Sequence, residues 1–321
     1  MTEQKKQNKK LPWFIGGALY GLFLRYMFDV LPSSVEGPMS LAFLICTPIV
    51  VGALTVYGYK GEGLKIKQML FMPWVTTALM LLGSALTLLE GSICIAIMAP
   101  LFLLCASIGG LLMGICLHLT AKKTKPLLSV SLLPFLVLYY EGYFPLTEKN
   151  IQIVESVVVQ ADPDVIWNQI MTAKEIESAE LPLSISHLIG VPKPLEGINK
   201  RKGTQEIRYS IWERGVNFKA VVTESSINEY IKWDYIFDDN SFPKGSMDDH
   251  VAIGGKYFDL HNTSFTLQPL NKNVTQLTIT ANYRINSAIN FYAIPISKIL
   301  GVDFVQTILG LYKYRSEAAN A

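Results

Sequence analysis

Two short stretches set carboxylates beside imidazoles, Asp248-Asp249-His250 and Asp259-Leu260-His261, and a third histidine, His187, lies in a segment rich in proline and glycine. A histidine oriented by an aspartate is the usual equipment of a general base, and the same side chains ligate metal when they converge. Spacing alone does not make them converge. Aspartate-rich surface turns and a histidine satisfied at the sheet account for the same residues. Arg208 and Arg214 stand among apolar neighbours, where a guanidinium can meet a carboxylate or phosphate with two parallel hydrogen bonds. Ion pairing with Glu206 and Glu213 is the simpler expectation for both. The chain has no GxSxG, no HExxH, no GxxxxGK and no GxGxxG between a strand and a helix. Its cysteines, Cys46, Cys94, Cys105 and Cys116, form no CxxC pair, so neither zinc nor a disulfide framework is expected. No catalytic residue, metal or cofactor is assigned from these patterns.

The aromatic residues of the second half are the other candidates, for binding and not for reaction. Tyr209, Trp212, Phe218, Trp233, Tyr235, Tyr257, Phe258, Phe265 and Tyr283 fall on alternating segments, and a mostly apolar pocket with a few polar groups is the usual small-molecule site. The ligand-contacting set expected is Tyr209, Trp212, Phe218, Trp233, Tyr235, Tyr257, Tyr283 and His261. Trp233 and Tyr235 share strand parity, but alternation does not say which parity points inward until the register is known.

The elements that must position these residues begin at residue 151. IQIVESVVVQ reads as a strand, and ADPDVIWNQI as a helix with Asp162 at its N-cap and Pro163 at its first position. Trp167, one turn in, is aimed at the sheet and expected in the core. Residues 181–203 carry too many prolines and glycines for a regular element. Five alternating segments follow, TQEIRYSIWERG, VNFKAVVTESS, EYIKWDYIFDD, YFDLHNTSFTLQPL and VTQLTITANYRI, separated by turns such as Glu213-Arg214-Gly215 and Asn271-Lys272-Asn273. Gly254-Gly255 reads as a bend in this sheet. Helical spacing of Ile296, Ile299, Leu300, Phe304, Ile308, Leu311 and Tyr312 predicts one long helix over residues 294–318 that covers a sheet face.

The first half has a different solvent. Only 17% of the 321 residues are charged, against about 25% in soluble domains, and they are sparse over residues 11–144. Apolar runs at 12–31, 39–57, 69–89 and 92–119 match the roughly 20 residues that cross a bilayer. A fifth, 127–146, is interrupted by Pro134 and Glu141. Lysines cluster before the first run (Lys5, Lys6, Lys9, Lys10), after the second (Lys60, Lys65, Lys67) and after the fourth (Lys122, Lys123, Lys125), which sets those loops on the cytoplasmic side. If the fifth run spans, Tyr139, Tyr140, Tyr143 and Phe144 form an aromatic belt, Glu141 lies among the headgroups, and the rest of the chain is extracytoplasmic. Arg25 and Asp29 can pair on one helix face near the outer end, and Gly17, Gly21, Gly110 and Gly114 permit close helix contact. A formal net charge of +2 without a basic stripe excludes nucleic acid as a partner.

The order of strand, helix, antiparallel sheet and C-terminal helix resembles the START-like helix-grip superfamily, or SRPBCC, which includes polyketide cyclase-like and lipid-transport proteins. The resemblance is carried by VVVQADPDVIW, HLIGVPKPLEG, WERGVNFKAVVTE, HVAIGGKYFDL and TANYRINSAINFYA, which look like a bacterial subfamily where the domain follows a multi-helix membrane segment. It implies an α-helical transmembrane segment (residues 1–147, four to five helices) followed by an α+β helix-grip domain (residues 148–321), its antiparallel sheet wrapped on a long C-terminal helix. The expected function is binding of a lipid or isoprenoid in a cavity at the membrane surface, with the bilayer and that hydrophobic molecule as partners. A cyclase- or hydrolase-type enzyme using the same cavity is the alternative, and a membrane assembly protein without ligand the third. The expected location is the bacterial inner membrane.

Overall fold

The computed structural model describes residues 11–30, 37–60, 63–119, 127–143, 146–248 and 253–320. These divide into two compact units, Met1–Leu146 and Thr147–Ala321.

The first unit is helical: α1 (Leu11–Asp29), a wide π turn (Ala42–Cys46) running into α2 (Thr47–Tyr57), α3 (Ile66–Leu86), α4 (Ser92–Leu119), and the short α5 (Leu127–Ser131) and α6 (Leu133–Glu141). Of these, α3 and α4 are long and apolar enough to cross a membrane, while Ala42–Tyr57 and Ser129–Glu141 are shorter apolar helices. The described part of the fifth run is not one continuous helix. It breaks before Pro134, whose missing N–H cannot continue the turn. It nevertheless travels the length of α2, with Val130 packed near Tyr57 and the Glu141 carboxylate accepting from the Leu41 and Ala42 amides. Glu141 thus satisfies backbone amides at the start of the Ala42–Cys46 turn. Arg25 is bound more deeply than a snorkelling side chain: buried, it reaches Asp29, Glu90 and the Leu89 carbonyl. Close approach within the bundle runs through Gly52 and Gly109, where a Cβ would strike the backbone of Ala106 and Ile49 respectively. Gly110 and Gly114 face Met69 in the same chain. The lysines before Leu11 and at residues 122–125, and Phe144, lie outside the described residues.

The second unit is an eight-stranded antiparallel sheet in the order β1-β8-β7-β6-β5-β4-β3-β2. The strands are β1 (Thr147–Val159), β2 (Thr172–Ala173), β3 (Pro194–Lys202), β4 (Gln205–Trp212), β5 (Asn217–Ser226), β6 (Tyr230–Ile236), β7 (Phe258–Asn271) and β8 (Val274–Ser287). Between β1 and β2 lies α7 (Pro163–Met171), between β2 and β3 the one-turn α8 (Ile185–Leu188), and the chain ends in α9 (Asn290–Asn320). Burial alternates without a break along β8, whose odd positions from Thr275 to Ser287 face inward, so the register Ile153↔Ala281 and Thr263↔Ala281 fixes the inner face of its neighbours. One core joins that face to α7 and α9 and includes Trp167, 7% exposed. This is the helix-grip architecture. α9 has the length and apolarity of a membrane span, yet its buried face closes the sheet.

Asp162 and Pro163 open α7 as expected, with one qualification at the cap, and one local expectation is corrected. Asp162 stands at the N-cap of α7, but its carboxylate makes no cap bond and accepts from the Asn273 amide, tying the helix start to the β7–β8 turn. Residues 194–202, expected to be irregular, form β3. Its proline sits at the first position, where no ladder bond is lost.

Candidate ligand cavity

Between sheet and α9 lies a cavity of about 120 Å³. β4 contributes Arg208, Ser210 and Trp212, β6 contributes Trp233 and Tyr235, and β7 contributes Leu260, Thr263 and Phe265. From β8 come Ile279 and Ala281, and from α9 Phe304, Val305, Ile308, Leu311 and Tyr312. One end is aromatic: Trp212 stacks on Phe304 with centroids 5.3 Å apart and meets Phe218 edge-on at 5.3 Å, and Phe218 in turn contacts Tyr235.

Of the eight aromatic and histidine residues expected at a ligand, Trp212, Phe218, Trp233 and Tyr235 line this space. The structure does not bring the other four to it. Tyr209 has the opposite parity on β4 and lies under Lys200 at 5.7 Å. Tyr257 precedes β7, beside Lys256. Tyr283 is buried on the inner face but packs on Phe258, with its hydroxyl 3.1 Å from Ser297 of α9. His261 is exposed because the register shifts between Leu260 and Asn262, and the bulge turns the imidazole out while Leu260 and Thr263 stay in. Its neighbour Asp259 is 3.9 Å from Arg284, and neither residue of this aspartate-histidine pair lines the cavity. His250 and Asp249 lie outside the described residues. His187 bonds the Val191 carbonyl through Nδ1 at 3.0 Å, and its ring meets Phe304 edge-on. Among the described residues no three His, Cys, Asp or Glu side chains converge on a metal position.

Arg208 is the functional candidate whose surroundings the sequence misrepresented. It is 6% exposed, and no carboxylate among the described residues lies within ion-pairing distance. Asn199 stands where Glu206 was expected: its Oδ1 accepts from Arg208 at 2.9 Å, and its Nδ2 donates to Glu206 at 2.9 Å. The guanidinium also donates to the Ile170 carbonyl at 2.7 Å and the Tyr312 hydroxyl at 3.0 Å, and it lies 4.6 Å from the Trp233 ring centroid. Gly197 is needed here, because a Cβ would strike Nη2 of Arg208. Arg214, by contrast, donates to the Ser246 carbonyl and leaves the Glu213 carboxylate to the Lys193 amide.

Tyr235 donates to Thr263 at 3.0 Å. Burial pushes its phenol up, more than the Thr263 bond, the nearby Trp233 indole and the Arg208 charge lower it, so it is neutral at physiological pH and a poor base. Beside the cavity, Asp303 of α9 accepts from the Ser184 hydroxyl at 2.6 Å and from the Ile185 and Ser186 amides at 3.0 and 2.9 Å. Burial raises its carboxyl, but these hydrogen bonds together outweigh burial and hold it below the ordinary aspartate value. They fasten α8 to α9 next to Phe304.

No protein-family model and no curated protein matches the chain. Among solved structures it is similar to an aromatase/cyclase from Streptomyces (10% identity, TM-score 0.35, 54% of this chain and 97% of that one). It is likewise similar to norcoclaurine synthase from Thalictrum flavum (11%, 0.34, 55% and 99%) and to a START superfamily protein from Mycobacterium smegmatis (12%, 0.33, 52% and 98%). At such values the likeness says nothing of ligand or reaction. The START-like fold rests on the strand order and the covering helix.

Proposed function

We propose that the second unit binds a small hydrophobic molecule in the cavity under α9, and that the helical unit holds the protein in a membrane so that a lipid or isoprenoid need not cross water to reach it. The observation that carries this reading is the lining, mostly apolar and aromatic with a few polar groups. Exposing a hydrocarbon in transit costs about 0.8 kcal/mol per methylene, so a tether beside the bilayer lowers the barrier to loading. A cavity of about 120 Å³ is below the roughly 300 Å³ at which drug-sized pockets begin. It approaches the ~150 Å³ that accommodates benzene in an engineered core. A chain longer than that enters only as Phe304 and Trp212 give way. An enzyme would need an acid and a base poised together. The buried Tyr235 phenol is not such a base, and Glu196, the one carboxylate of the lining, is not ion-paired to Arg208.

Replacing the cavity-lining Ala281 with leucine fills this space from the middle of β8. Uptake of a fluorescent fatty acid by the full-length Ala281→Leu protein should fall by an order of magnitude with little change in melting temperature. Undiminished uptake would defeat the proposal.

A further inference from the structure

Resting on that binding reading, we propose that Arg208 and Trp233 form an anion-binding subsite, and that the ligand is an amphiphile bearing a carboxylate or phosphate monoester. A guanidinium presents five N–H donors. Arg208 has three acceptors, all neutral: Ile170, Asn199 and Tyr312. Ile170 lies in the last turn of α7, whose C-terminal end offers the equivalent of about half a negative charge. No ion pair compensates the remainder of the cation: Glu196 is on the same lining but is not paired to it, and most of the wall is apolar, an arrangement that is costly unless a counter-charge arrives.

A second donor points the same way. Trp233 is 2% exposed and its indole Nε1 is buried with no acceptor in hydrogen-bonding geometry. The Tyr235 hydroxyl is close enough for the indole to bear on its ionisation but leaves that N–H unmatched. Arg208 and Trp233 are stacked 4.6 Å apart, and both line the cavity. A cation with two N–H groups to spare and an indole N–H without an acceptor are complementary to one anionic oxygen cluster. Guanidinium recognises carboxylate and phosphate alike by such paired bonds. The apolar body of the ligand then extends toward Trp212 and Phe304.

The test titrates the full-length protein in amphipol with four probes, following tryptophan fluorescence: 4-butylbenzoate, 4-butylphenyl phosphate, the neutral 4-butylbenzyl alcohol, and inorganic phosphate. The proposal expects the two anionic amphiphiles to bind at least tenfold more tightly than the alcohol, and inorganic phosphate to bind weakly. Trp233→Phe, which keeps the ring and removes the N–H, should reduce the preference several-fold, and Arg208→Lys should reduce it further while alcohol binding persists. Trp233→Phe keeps the test informative if Arg208→Lys fails to fold. Equal affinity for benzoate and alcohol overturns the anion subsite and leaves the cavity reading standing. Inorganic phosphate binding as tightly as the aryl phosphate overturns the amphiphile in favour of a free anion. No binding of any organic probe overturns the cavity reading itself.

Discussion

Removing the Asp303 carboxylate should unfasten α8 from α9 without unfolding the domain. Three donors converge on it, from Ser184, Ile185 and Ser186. Hydrogen bonds to a charged group contribute roughly 1.5–3 kcal/mol each, about 4–9 kcal/mol if they simply added. The bonds share one carboxylate and solvent reaches it, so we discount the sum to about 2 kcal/mol. That corresponds to a roughly 30-fold rise in the open population of the segment. In Asp303→Ala, amide hydrogen exchange at residues 185–191 should accelerate by about that factor, while β8 and α9 keep their protection. The pH dependence has a definite sign. Asp303 is depressed in the folded state, so its contribution is complete above the unfolded aspartate value of about 4 and is lost as pH falls through the lower folded value. Protection of the segment in the parent protein should therefore decline as pH falls below about 4, and that decline should vanish in Asp303→Asn. Exchange in Asp303→Ala that changes by less than about threefold would refute the assignment of Asp303 as the fastener.

Two further outcomes are expected. Trp167 is buried beneath α7 and away from the cavity, so Trp167→Ala should lower stability by about 3–5 kcal/mol in denaturant melts; retained stability with lost ligand binding would show that the ring serves the site instead. A cysteine at Asn271, in the β7–β8 turn, should react with a membrane-impermeant thiol reagent in intact cells if the domain is extracytoplasmic; labelling that waits for lysis would put it on the cytoplasmic side.

The strands and the closing helix were legible in the sequence because their burial is periodic: β8 alternates at every position and α9 carries its apolar face for most of its length. β3 was hidden by the very residues that adapt it to the site. Pro194 starts the strand at the cavity and Gly197 makes room for the Arg208 guanidinium, so both read as loop signals. Arg208 and Glu206 share a strand face, which suggested an ion pair. The partner actually inserted, Asn199, comes from the neighbouring strand through the pairing Asn199↔Arg208, which no local pattern announces. Tyr209 failed by parity and His261 by a bulge, both properties of register. Tyr283 has the inward parity but lies against α9 at Ser297, beyond the cavity. Aromatic content marked the right strands, and only pairing could select the residues.

The polar and aromatic ends of the site set a length. Arg208 and Trp212 are four residues apart on one strand, about 13 Å at the usual rise. A cavity of about 120 Å³ leaves no room beyond a ring-sized body, so with the ligand's anionic end at Arg208, as proposed, a longer tail must displace the Trp212–Phe304 stack. Phe304 adjoins Asp303, and its ring also meets His187 of α8. Fastening α8 therefore restrains the side chain that a long tail has to move. Asp303→Ala should then raise the association rate of a long-chain carboxylate probe while leaving that of 4-butylbenzoate nearly unchanged, as stopped-flow tryptophan fluorescence can resolve. Equal acceleration of both would place the barrier to entry elsewhere than at Phe304.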